Sequence, residues 1–173
     1  MRLAILGIGH ELRGDDAAGL AVVRQLAEKR SAYCVVRNGQ PDTTHYALRT
    51  NCLILDGGPA PENQTGALRQ FEPDLVVMVD AAQMDAPPGT VTWLDLEQID
   101  GVSAVTHLLP LNMLARYLVH ELDCAVGMIG IQPAQTDVLA ELSDVVETAV
   151  GDIVTNLVLA SEKLTTDLTD QAD

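Results

Sequence analysis

Residues 2–23 read RLAILGIGHELRGDDAAGLAVV, and the fold follows from how this stretch divides. Residues 2–6 form a short apolar run of strand length. Gly7 and Gly9 then admit a tight turn through backbone angles closed to other residues. Asp15 and Asp16 come next, after which Leu20, Ala21 and Val23 return at helical spacing. Strand, glycine turn, acidic pair and helix make the opening of a βα unit, the building block of a parallel sheet. Ligands in such sheets gather beyond the carboxyl ends of the strands, so the acidic pair stands where chemistry is usually done.

Either acid can serve as a helix cap, since an N-cap Asp satisfies free N–H groups and suits the positive end of the helix dipole. Two adjacent carboxylates exceed what a cap needs, which leaves one for another role. Gly7-Ile8-Gly9 also begins like a dinucleotide fingerprint, but the third glycine should fall at position 12, which is Leu12. Asp15 and Asp16 would moreover repel a pyrophosphate from the helix end meant to attract it. The same position welcomes a cation.

The chain has 173 residues, enough for one domain with a substantial core, and 47% of them are hydrophobic, as a folded protein requires. Residues 1–164 read as a single α/β domain and 165–173 as an acidic, frayed tail. The net charge of −15 argues against nucleic acid, whose phosphates it would repel. Cys34, Cys52 and Cys124 are an odd number, widely spaced and without a CxxC pair, which fits a reducing cytoplasm. No apolar segment reaches the roughly 20 residues needed to cross a bilayer. Composition thus predicts a soluble, cytoplasmic protein with no membrane insertion.

Further strands are predicted at 33–36, 51–55, 74–80, 90–94 and 125–131, with helices ending near Lys29, over 62–71, from Pro110 onward and over 139–164. Residues 74–80, DLVVMVD, are a run of branched residues that suits a central strand buried on both faces, with Asp80 closing its carboxyl end. Residues 90–94 follow a short connection after Pro87-Pro88-Gly89 and read as an antiparallel edge strand. Residues 95–103 read as polar loop. The last helix places Val145, Ala149, Ile153 and Leu157 on one stripe. Asp56-Gly57-Gly58-Pro59 ends the strand at 51–55, as a turn or as a close approach of backbone to a ligand or peptide. His107 falls on the loop ahead of a helix that starts at Pro110, where the helix dipole favours the neutral imidazole that a metal ligand must be.

Asp16, Asp80 and His107 each adjoin an element whose end should face the same sheet edge. Two carboxylates and an imidazole suit Ni, Zn or Fe, with positions left open for a substrate. The motifs GIGHELRGDDAAGLAVV, DGGPAPEN at 56–63, LVVMVDAAQM, THLLPLNML and IGIQP at 129–133 carry a resemblance along nearly the whole chain. The sequence resembles the hydrogenase maturation endopeptidases, which trim the C-terminus of the large subunit of [NiFe]-hydrogenases. It looks closest to the branch serving hydrogenase 3 of formate hydrogenlyase.

The resemblance implies an α/β three-layer sandwich: a twisted, mostly parallel five-stranded sheet with one antiparallel edge strand and helices on both faces. It implies an aspartic-type endopeptidase in which Asp16, Asp80 and His107 occupy the catalytic and metal-contacting positions. The implied partner is the large-subunit precursor, and the implied metal is nickel carried by that precursor, with no organic cofactor. A hydrolase retaining its own zinc in the same three ligands, or a nickel-sensing chaperone that does not cut, are the alternatives. Two departures from the family pattern are His10, where Asn is typical, and extra length around residues 30–50, where the partner surface is expected to differ.

Overall fold

The computed structural model of the chain describes residues 1–29, 34–37, 40–41, 51–99, 103–104 and 111–166. The apolar runs become strands β1 (Leu3–Ile8), β2 (Cys34–Arg37), β3 (Gln40–Pro41), β4 (Cys52–Gly58), β5 (Leu75–Gln83), β6 (Val91–Asp95), β7 (Ser103–Ala104) and β8 (Ala125–Ile131). The helices are α1 (Ala18–Lys29), α2 (Thr65–Phe71), α3 (Leu96–Ile99), α4 (Leu111–Leu122) and α5 (Asp144–Thr166), with single 3-10 turns at Gly14–Ala17 and Pro61–Gln64.

Among the described residues, the strands of five residues or more form the five-stranded sheet expected of the family: β4, β1, β5 and β8 are parallel, and β6 is antiparallel at the edge. The four-residue β2 extends the parallel set beside β4, and the two-residue β3 and β7 add antiparallel bridges to β2 and β5. β1 lies at the centre, so the glycine turn that follows it opens onto the middle of the carboxyl edge.

Alternation along β1 divides the core. Leu3 and Ile5 point to one face and pack with Ala18, Val22 and Leu26 of α1 and with Val146, Val150 and Val154 of α5. Ala4, Leu6 and Ile8 point to the other and pack with Leu68 of α2 and Leu111, Leu114 and Leu118 of α4. A central strand buried on both faces needs apolar residues at every position, which is why β1 and most of β5 read as unbroken runs. The three-layer sandwich therefore follows from the pattern of the strands.

Two helix assignments shift. α5 starts at Asp144 instead of 139, because Leu139 adopts a left-handed backbone (φ 64) that no α-helix contains. The buried stripe of α5 is Val146, Ala149, Val150, Ile153 and Val154, whereas Val145 is half exposed. The segment expected to be polar loop after β6 carries one turn of helix, α3, and the bridge β7. Of the tail, residues 165 and 166 continue α5, and 167–173 lie outside the described residues. The expected partner surface at 30–50 also lies outside them, apart from β2 and β3.

Cys52 and Cys124 behave as small core residues. Both are buried, and burial pushes the Cys124 thiol above its ordinary pKa. No helix among the described residues is long and apolar enough to cross a membrane.

Candidate active site

The glycine turn after β1 is shaped by close backbone contact. Gly9 has φ 138, a conformation open essentially to glycine alone, and a Cβ there would land in the carbonyl oxygen of Asp16. That oxygen accepts a hydrogen bond from the N–H of His10 at 3.2 Å. The turn thus folds back onto the acidic pair, and this contact is what the glycine serves in place of a pyrophosphate. Gly9→Ala is expected to destabilise the fold by at least about 3 kcal/mol, from backbone strain plus overlap. Urea unfolding measures it, and a change under about 1 kcal/mol would contradict the close approach.

The two acids divide their labour. Asp15 is wholly buried. Its carboxylate accepts four hydrogen bonds, all from residues about 120 positions away in sequence. The N–H groups of Ala134 (2.8 Å), Gln135 (3.0 Å) and Ser143 (2.7 Å) donate to it, as does the Ser143 hydroxyl (2.9 Å). Asp15 therefore ties the connection between β8 and α5 to the 3-10 turn at Gly14–Ala17. Its carboxylate is saturated by these donors and plays a structural part.

Asp16, the predicted site residue of the pair, is also wholly buried. The turn that carries it packs against β5. Gly19, just inside α1, lies so close to β5 that a Cβ would overlap the Val79 carbonyl oxygen. That carbonyl belongs to the peptide bond joining Val79 to Asp80. The start of α1 thus rests on the backbone of β5 beside the second acid.

Asp80 is buried as well, but β5 runs on to Gln83, so Asp80 sits inside the strand instead of closing it. It pairs in register with Gly130 of β8. By alternation it shares a face with Val76, Met78 and Ala82, the face that α2 and α4 cover. The fold therefore brings Asp16 and Asp80 to one edge. His107, the third predicted site residue, lies outside the described residues.

Other motif residues build the rim. Asp56-Gly57-Gly58 forms the end of β4, and an irregularity in its pairing with β1 lies between Gly7 and Ile8. The Gly58 carbonyl accepts from the Gly9 N–H at 3.1 Å, so the glycine pair shapes strand pairing at the turn. Arg24 of α1 donates from Nε to Asp56 (3.1 Å) and from Nη2 to Glu11 (3.1 Å), linking α1, β4 and the glycine turn. Burial lowers the Arg24 pKa, but the Asp56 carboxylate outweighs it, with help from Glu11, and leaves the guanidinium above its ordinary value.

Gln132, from the IGIQP motif, is buried; its Oε1 accepts from the Met84 N–H at 2.7 Å and its Nε2 donates to Gln83 at 2.8 Å. It closes the ends of β5 and β8 together. Gln64 donates from Nε2 to the Asp56 carbonyl at 2.9 Å and so seats the DGGPAPEN segment. The bonds of Gln132 reach partners 48 and 49 positions away in sequence, which local pattern does not show.

The cysteines stand at the opposite edge. Cys34 and Cys52 begin β2 and β4, and Cys124 directly precedes β8. A seven-residue strand spans roughly 20 Å, which separates these cysteines from the carboxyl edge. Asp16 and Asp80 offer hard oxygen donors at the carboxyl edge.

Fold and site together define an α/β three-layer protein with buried acids at the carboxyl edge of its sheet, the place where proteins of this architecture act on their ligands. The hydrogenase maturation protease family model matches residues 43–160. The hydrogenase 3 maturation protease of Escherichia coli K12 is 34% identical over 133 residues, covering 75% of this chain and 71% of that protein. A putative hydrogenase maturation protease of Methanocaldococcus jannaschii is 29% identical over 163 residues, 94% of this chain and 90% of that one. The crystal structure of the [NiFe] hydrogenase maturation protease HycI from Thermococcus kodakarensis superposes with a TM-score of 0.72 at 31% identity, covering 90% of this chain and 89% of that one. The chain belongs to the hydrogenase maturation protease family and is an endopeptidase of that kind.

Proposed function

We propose that this protein removes the C-terminal extension of a nickel-loaded [NiFe]-hydrogenase large-subunit precursor, and that Asp16, Asp80 and His107 engage the nickel that the precursor carries. The observation that supports this most is the placement of two buried acids where the 3-10 turn at Gly14–Ala17 packs against β5. Asp15 is consumed by four structural hydrogen bonds, while Asp16 and Asp80 are buried at the same edge.

Nickel here is part of the substrate. Two carboxylates and an imidazole form a set that holds free nickel weakly, yet completes the shell of an ion already bound by precursor thiolates. Hydrolysis requires a water to add to the scissile carbonyl carbon, the C–N bond to break and a proton to reach the leaving amine. The metal can polarise that carbonyl or lower the pKa of the attacking water, and a carboxylate can accept the water's proton. Both routes use the same residues. Acid side chains acting in this way make the enzyme aspartic-type in chemistry, and the cytoplasm, where the precursor is made, is its expected compartment.

The test is mass spectrometry of large subunits from cells with and without this protein. A large subunit shortened at its C-terminus only in cells containing it supports the proposal. Identical masses in both would overturn it. Zinc retained stoichiometrically by the purified protein would favour a resident-metal hydrolase instead.

A further inference from the structure

The structure displays large apolar side chains beside the turn that carries Asp16. Leu12, Val138 and Leu139 are 50%, 69% and 76% exposed. They come from two segments laced together by their backbones. The Leu139 N–H donates to the Leu12 carbonyl at 2.7 Å, Gly14 donates to Ala140 at 3.2 Å, and Asp15 donates to Gln135 at 3.0 Å. The four bonds to the Asp15 carboxylate hold the same loop from beneath. The three side chains are therefore presented on a fixed backbone, a few residues from Asp16.

Leu139 is costly where it stands. Its φ of 64 lies in the left-handed region, where a branched side chain is strained and glycine is not. An exposed leucine gains little from packing in the folded chain to offset that strain. A side chain held exposed in a backbone conformation that glycine would adopt more easily points to a contact outside the chain. The exposed acids Asp137 and Glu141 lie in the same segments and outnumber the half-buried Arg13, while Glu11 is ion-paired with Arg24. Such a rim favours a positively charged visitor, in keeping with a chain whose net charge is −15.

We propose that Leu12, Val138 and Leu139 form the ledge on which the hydrogenase large-subunit precursor lays an apolar segment, flanked by basic residues, next to its scissile bond. This rests on the function proposed above and deepens it. The ledge binds substrate and takes no part in the chemical step. It thus contributes uniform binding, whose loss raises KM and spares kcat.

The test compares cleavage of nickel-loaded precursor by the wild type and by a V138S/L139G double variant. KM is expected to rise about tenfold with kcat within about twofold. The melting temperature should be unchanged or slightly higher, since glycine relieves the strain at position 139. A KM within about twofold of wild type would overturn the ledge while leaving the proteolytic function intact. If the double variant melts early, L12S decides in its place, with KM expected to rise about threefold and an unchanged KM counting against the ledge.

Failure of the wild type to cut nickel-loaded precursor would instead overturn the functional reading, and the ledge with it. A photo-crosslinker, p-benzoylphenylalanine, in place of Val138 gives a readout independent of cleavage. An adduct with the precursor near its C-terminus supports the ledge, and an adduct only with a second copy of this chain overturns it.

Discussion

Asp15→Ala is expected to unfold much of the protein, and Asp16→Asn to leave it folded yet unable to process its precursor. The two residues are adjacent and equally buried, but their surroundings differ. Removing the Asp15 carboxylate strands three backbone N–H groups and the Ser143 hydroxyl, donors that the fold has gathered around it. Leaving such groups unpaired costs about 1–3 kcal/mol each, softened where water enters, so a loss of about 3–5 kcal/mol is expected. That is a large fraction of the roughly 5–15 kcal/mol that holds a domain of this size. Asp16→Asn keeps the volume of the side chain and removes the charge that a cation requires. Urea unfolding and mass spectrometry of the precursor read the two effects separately. An Asp16→Asn enzyme that still shortens its precursor would move the chemistry to another group. An Asp15→Ala protein as stable as wild type would mean that the loop between β8 and α5 is held by other contacts.

Nickel-loaded precursor is expected to be cut at least about 100-fold faster than metal-free precursor, the scale on which loss of a charge-stabilising group is felt. The reasoning starts from the ligands. The proposed set is two carboxylates and an imidazole, and the cysteines stand at the amino ends of their strands, on the far side of the sheet. Without a thiolate, the proposed set lacks the soft donor that would strip nickel from the precursor, and under the proposed function the ion stays with the substrate as its credential. Cutting a metal-free precursor would close an empty active site. His107→Ala should slow the loaded precursor to the metal-free rate. Efficient cleavage of a verified metal-free precursor would assign Asp16 and Asp80 a metal-independent acid–base role.

The sheet was legible because buried parallel strands advertise themselves: residues 3–8, 75–79 and 125–131 are apolar at almost every position. Family motifs added the strand count and the site residues. What local pattern alone could not separate was Asp15 from Asp16, which only the resemblance told apart. Both sit between the same glycine turn and the same helix, and the difference lies in Ala134, Gln135 and Ser143. Leu139 misled for a related reason. Its apolar side chain extends the helical pattern of α5, but its backbone belongs to a turn and its side chain faces outward. Of the predicted stripe on α5, Ala149 and Ile153 are buried and Leu157 packs against the core, and only Val145 points outward. Asp80 looked like the last residue of its strand because the apolar run pauses there, yet pairing with β7 and β8 carries β5 on to Gln83.

Trp93, the chain's one tryptophan, lies on the edge strand β6. Its ring covers Gly127 of β8 so closely that a Cβ on that glycine would overlap it, and its Nε1 donates to Asp95 at 2.8 Å. The indole is 47% exposed, shielded on the face that meets β8. Tryptophan fluorescence, excited near the red edge of the absorption band, therefore has a single origin in this protein, and that origin is a seam at the margin of the sheet. Peeling of β6 from β8 would shift the emission to the red while the centre stayed intact, whereas far-ultraviolet circular dichroism would register only the collapse of the whole. The lag between the two signals on heating turns one side chain into an optical gauge of where unfolding begins.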